Sequence, residues 1–153
     1  MFQQLSIAVL GLAGLYAAWS DIRWRRLPNA LCLLVAAAGI AATIYTGGTA
    51  MAAGHLAHAA VALVIGIALF SLGAVGGGDA KFYAATAVWF PLGGGLRLLL
   101  WVSLAGLCLF VVWVVWRRLR GIKIKAKATE DSDKFPYGIA IAAGSFTAAL
   151  LAS

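Results

Sequence analysis

Apolar positions run along this chain in long blocks separated by short polar knots. Four blocks reach or approach the roughly 20 residues that a helix needs to cross the hydrocarbon core of a bilayer. They are Phe2–Ser20, Asn29–Thr46, His55–Val75 and Leu96–Trp116. Two shorter blocks, Ala80–Leu92 and Tyr137–Ala152, would rise only about 20–24 Å as helices, against a core of about 30 Å. A short segment still crosses where the bilayer thins or where protein buries its ends. The pattern predicts six helices in an all-α, polytopic membrane bundle. No repeat of fixed period is visible, so residues 1–153 read as a single integral-membrane domain.

Composition supports that class. The chain is 63% hydrophobic and 11% charged, with a mean hydropathy of +0.96. Soluble domains carry about 25% charged residues, so too few charges exist here to cover a water-facing surface. Disorder, collagen and a disulfide scaffold are excluded by the same figures.

The charges that remain have a direction. There are 12 Lys+Arg and 5 Asp+Glu, a net +7. With the turn after the first helix in the cytoplasm, the cytoplasmic loops hold Arg23, Arg25, Arg26, Lys81, Arg117, Arg118, Arg120, Lys123, Lys125, Lys127 and Lys134. The opposite side holds only Arg97. Cytoplasmic loops are enriched in Lys and Arg, so this orientation is expected, with both termini outside the cytoplasm. The start Met1-Phe2-Gln3-Gln4 lacks a basic region, and Trp19-Ser20-Asp21 is no small-residue cleavage site, so the first helix reads as a retained span.

All five acids then face the cytoplasm. Glu130, Asp131 and Asp133 lie among lysines in the stretch Arg117–Phe135, which reads as a solvated, headgroup-facing loop. Asp21 and Asp79 differ, because each lies within a turn of an apolar segment. Ionisable groups there are costly and tend to be paired or functional. The plain alternative makes each an interfacial end residue, with Asp79 as an N-cap.

Gly76-Gly77-Gly78 precedes Asp79. Three glycines at a helix start sacrifice backbone order; they supply freedom in φ and close approach by another backbone, as an extended substrate strand beside a carboxylate would need. A phosphate loop is rejected, since Asp79-Ala80-Lys81 stands where Gly-Lys-Ser/Thr is required. A dinucleotide fold lacks its strands. Two carboxylates at one membrane face fit aspartic-protease chemistry, in which close carboxyls share a proton. Asp79 sits at a helix N-terminus, where the dipole favours the anion, so it is expected to carry the resting charge; Arg23, Arg25 and Arg26 would push the other way, toward Asp21.

These residues resemble a known family. Asp21-Ile22-Arg23-Trp24-Arg25-Arg26-Leu27-Pro28-Asn29 is similar to the first aspartate motif of the type IV prepilin peptidases. Gly76-Gly77-Gly78-Asp79-Ala80-Lys81 matches their GxGD motif, and Phe135-Pro136-Tyr137-Gly138-Ile139-Ala140-Ile141-Ala142-Ala143-Gly144 resembles their last-helix motif. The resemblance covers nearly the whole chain. It implies a membrane aspartic endopeptidase that removes the basic leader from prepilins or pseudopilins at the cytoplasmic face of the bacterial inner membrane, with Asp21 and Asp79 as catalytic residues. Gly76, Gly77, Gly78 and Lys81 are then candidates for substrate binding or dyad support. Pilus assembly machinery and membrane lipid are the implied partners, with no cofactor. Larger relatives add a zinc-binding CxxC insert and an N-methyltransferase; here Cys32 and Cys108 stand alone in apolar helices and cannot form a four-ligand site. The chain resembles the short, peptidase-only form of tight-adherence (Flp-type) pilus systems. Ile139 stands where many relatives have a second proline.

Other features read more plainly. His55 and His58 are spaced for a shared metal, but no acid is expected beside them, so packing is preferred. Trp116 beside Arg117 reads as an interfacial belt, and Trp89, Trp101 and Trp113 as packing or lipid-facing. Gly11, Gly14 and Gly144 suit close helix contact. Lys81 serves equally as a snorkelling anchor. The basic loop lacks interleaved aromatics and reads as lipid-facing rather than nucleic-acid binding. A proton-coupled transporter using Asp21 and Asp79 as a relay is the alternative function; a relay favours acids near the midplane. A non-catalytic scaffold is a third reading, and would not need the glycine turn.

Overall fold

The longest apolar run carries its own break. After α1 (Phe2–Trp24) comes α2 (Asn29–Ser71), helical throughout except at Gly48, whose φ of 72° and ψ of −170° are not helical. Glycine enters that region without the strain a Cβ imposes. The sequence reading placed a gap between two helices here; the structure fills it with helix on both sides of one residue. A straight helix of 43 residues would rise about 65 Å. Instead the chain folds back at Gly48. Lys81 Nζ donates to Asn29 Oδ1 at 3.2 Å, near the start of α2. A Cβ on Gly66, near its end, would stand 3.0 Å from Ala80 Cβ. Neighbouring residues of one short helix therefore touch both arms.

That helix is α3 (Gly77–Ala87), followed by a 3-10 turn at Leu92–Gly94, α4 (Gly95–Leu119) and α5 (Tyr137–Leu150). The computed structural model describes residues 1–24, 27–121 and 137–152. Arg25, Arg26 and residues 122–136, which include Glu130, Asp131, Asp133 and Pro136, lie outside the described residues. Among the described residues every regular element is helical.

α2 ends where Gly73, at φ 72°, lets the backbone reverse. Gly73 N–H donates to Phe70 O and Ala74 N–H to Leu69 O, both at 2.9 Å, which satisfies carbonyls the helix end would leave open. α3 rises only about 17 Å. Ala80, Phe82, Ala84, Ala85, Thr86 and Ala87 are all buried in it, so protein rather than lipid surrounds this short element. Three side chains hold its far end. His55 Nδ1 bonds Val88 O at 2.8 Å, His58 Nδ1 bonds Phe90 O at 3.0 Å, and Trp89 Nε1 donates to Val35 O at 3.1 Å. A carbonyl only accepts, so each imidazole must donate from Nδ1. The histidines thus do packing work.

α5 lies antiparallel to both α1 and α4, and small residues set the separations. A Cβ on Gly14 would stand 3.2 Å from Ala142, and one on Gly106 would stand 3.6 Å from Ala140. Gly144 meets the backbone of Trp101 and Val102 directly. Such contacts let helices approach where no hydrophobic drive separates helix from lipid.

Among the described residues, three helical stretches are long and apolar enough to cross a membrane: Phe2–Asp21, Asn29–Ser71 and Leu92–Leu119. α5 is apolar but shorter. Outward-facing leucines such as Leu12 and Leu33, each more than 70% exposed, suit lipid contact. Phe2 stacks on Trp89 at 5.9 Å, so the start of α1 lies by the end of α3. One end of the bundle therefore gathers the end of α1 and the starts of α2, α3 and α5.

Candidate active site

Asp21 lies in the last turn of α1 and is 8% exposed. A Cβ on Gly138, in the first turn of α5, would stand 3.1 Å from Asp21 Oδ2 and 3.2 Å from Leu27 Cδ1. Leu27 also reaches Gly78, whose Cβ would lie 3.5 Å from the leucine Cβ. Asp79 follows in the first turn of α3. A chain of contacts thus runs from Asp21 through Gly138 and Leu27 to Gly78, the residue before the second aspartate. The charge of Asp21 is felt at Asp79: burial first, and then that charge, push the Asp79 carboxyl up to about 6. Both effects act against the helix dipole, which favours the anion at Asp79.

Asp79 is not the N-cap. Gly76 holds that position, in extended backbone at φ −72° and ψ 144°, with no side-chain cap bond. Asp79 folds back instead, and a Cβ on Gly76 would stand 2.8 Å from its Oδ2. The triple glycine supplies room rather than unusual φ. Positive φ among the described glycines falls at Gly48, Gly73 and Gly121, none of them in the motif. A Cβ on Gly77 would press on Phe70 at 3.3 Å.

Lys81 does not reach back to the carboxylates by any bond seen here; its amine is on Asn29 Oδ1. It ties the start of α3 to the start of α2. Asn29 and Gly138 stood in the quoted motifs without a role, and Leu27 likewise; their contacts give them one. The signal in sequence was their position inside the motifs, and only packing says what they touch.

A cavity of about 440 Å³ opens beside Asp79. Its walls come from the second arm of α2, from α3 and from α4, with Tyr137 and Ile141 of α5. Cys32 is buried and Cys108 exposed, on separate helices. Among the described residues no three His, Cys, Asp or Glu side chains converge as metal ligands would.

The arrangement presents two carboxyls of coupled charge, one of them buried, at one end of an apolar bundle, beside a cavity. That suits general acid–base work on a bond delivered to the bundle's end. No curated protein and no solved structure matches the chain. Residues 8–111 match the model of the type IV leader peptidase family, a stretch that contains Asp21 and Asp79 and stops short of the last-helix motif. Over that length, about two-thirds of the sequence, the match is decisive: the chain belongs to the type IV leader peptidase family.

Proposed function

We propose that this chain is an aspartic endopeptidase that removes the leader of type IV (Flp-type) prepilins or pseudopilins at the cytoplasmic face of the bacterial inner membrane. Family membership supports the peptidase. The observation that carries the aspartic reading is the electrostatic coupling of Asp79 to Asp21 at one end of the bundle. At the working pH the pair holds one proton. The ionised carboxylate takes a proton from water as the water oxygen attacks the scissile carbonyl. The protonated carboxyl hydrogen-bonds the developing oxyanion. As the tetrahedral intermediate collapses, the C–N bond breaks and a proton passes to the leaving amine. Gly76, Gly77 and Gly78 leave space for a substrate strand beside Asp79, and Lys81 supports the dyad by fixing α3 against α2. Six crossings, counting α2 as two and including α3 and α5, fit the loop charges, with both termini outside. The lone cysteines leave no basis for a zinc insert, and the reading is peptidase without methyltransferase. Nothing in the fold or the family match favours the transporter.

Co-expression with a candidate prepilin tests this. Wild type should shift the prepilin band to the mature size. Asp21→Asn and Asp79→Asn should each abolish the shift while the protein still inserts. Processing by both variants would overturn the dyad. Failure of wild type on every prepilin of the host would overturn the function.

A further inference from the structure

The cavity beside Asp79 is more than clearance for water. Ala62, Gly66 and Leu69 of α2, Tyr83 of α3, and Leu99 and Ser103 of α4 line it, and it continues past them to His58 and Gly95 near the opposite end of the bundle. It therefore runs along much of α3, with a carboxyl at one end and mostly apolar walls beyond. The contact of Gly66 with Ala80 brings α2 and α3 together as its floor.

We propose that this cavity seats one apolar helix face of the substrate, beginning directly after the cleaved bond. The inference rests on the leader-peptidase reading and names where the retained part of that substrate lies. Charge decides the occupant. The first four N–H groups of a helix have no partner within it, and that end carries the positive end of the macrodipole. Asp79 stands where a helix entering the cavity would begin. Tyr83 follows Asp79 by one turn on the same face of α3, where i and i+4 residues are neighbours, and its hydroxyl can accept from another such N–H. Below them the walls are mostly small and aliphatic, with Ser103 and His58 as polar exceptions. An anionic phospholipid would place its phosphate against Asp79 and be repelled, so an acyl chain fits the mouth poorly.

The test places a photo-crosslinking residue at Ser103, and a control at Leu12, which is 72% exposed on α1 and outside the cavity. Both go into the inactive Asp21→Asn chain in lipid vesicles. The probe is a synthetic peptide with a basic leader and a 20-residue apolar helix, a length of about one membrane crossing. Adducts from Ser103 should map to the first few turns after the cleavage point, and Leu12 should give none there. Ser103→Trp, and independently Leu99→Trp, should lower that crosslinking, read from a probe group at Ile65 on the facing wall, by about tenfold. Leu12→Trp should leave it unchanged. Adducts to lipid alone, equal yields from Leu12, or no loss in the tryptophan variants that melt like wild type would overturn the proposal. Wild-type cleavage of prepilin is scored separately. If it fails while Ser103 still captures the helix, the peptidase reading falls and the cavity stands; if cleavage proceeds without capture, the cavity assignment falls alone.

Discussion

A carboxyl at about 6 is a functional statement about Asp79. If the pair works with one shared proton, kcat/KM should fall as pH rises above about 6, with the apparent value belonging to the pair rather than to either residue. A profile flat from pH 5 to 8 would break the assignment. The same shift has a stability sign. The folded value lies above the ordinary 3.8, so the fold favours the protonated form. That contribution is complete below about pH 4 and is lost as pH rises through about 6. Asp79→Asn should therefore raise stability at pH 7.5 by about 1–2 kcal/mol, a figure reduced for the partial solvent access of the carboxyl, and make no difference at pH 3.5; melting in detergent at the two pH values measures it. Glycine room can be tested next to it. Gly76→Ala and Gly138→Ala would each put a methyl against an aspartate oxygen, at 2.8 and 3.1 Å. A carboxylate at a side-chain tip can swing away at little cost in stability. Cleavage should drop at least tenfold, since misplacement near 1 Å is expensive in catalysis, with a melting point near that of wild type. Unchanged cleavage would show that neither carboxylate needs its present position.

The element on which most depends is the shortest α-helix. α3 is shorter than the thickness of a bilayer core, and its length alone would leave it a weak helix in isolation. Burial on nearly every face and three side-chain bonds at its end keep it in place. His55→Ala and His58→Ala each remove the donor from a buried carbonyl and should cost about 1–3 kcal/mol, read as a lower melting temperature. Added zinc should not raise the wild-type melting point, as it would if the pair were a metal site. The apolar pattern located this helix to within a few residues: Ala80–Leu92 was expected and Gly77–Ala87 is found. The difference has a cause. Gly77 and Gly78 look like loop residues by type, yet both are helical and lie close against Phe70 and Leu27. Beyond Ala87, Val88–Phe90 remain buried but turn toward Pro91, because proline cannot continue the helix.

For the molecule as a whole, orientation is the quantity still to be measured. Single cysteines introduced into a Cys32→Ser, Cys108→Ser background should label from the outside at Gly48 and Gly93, and from the cytoplasm at Ala74; the reverse pattern would invert the topology. Loop charge carries that expectation, since a basic loop resists translocation whatever the bundle does. The sequence by itself determined the class of the protein and its apolar segments, and it supplied an expected direction, eleven cations against one, and a shortlist of two aspartates to test, because each follows from side-chain chemistry summed locally along the chain. What it could not determine was which glycine turns α2 back, that Asp79 lies behind Gly76 rather than capping its helix, that Gly138 abuts Asp21, or that His55 and His58 hold the far end of α3. Those are contacts between residues tens of positions apart. They arise only when helices pack, and packing is also what takes Asp79 out of water and sets the charge of Asp21 near enough to move its titration.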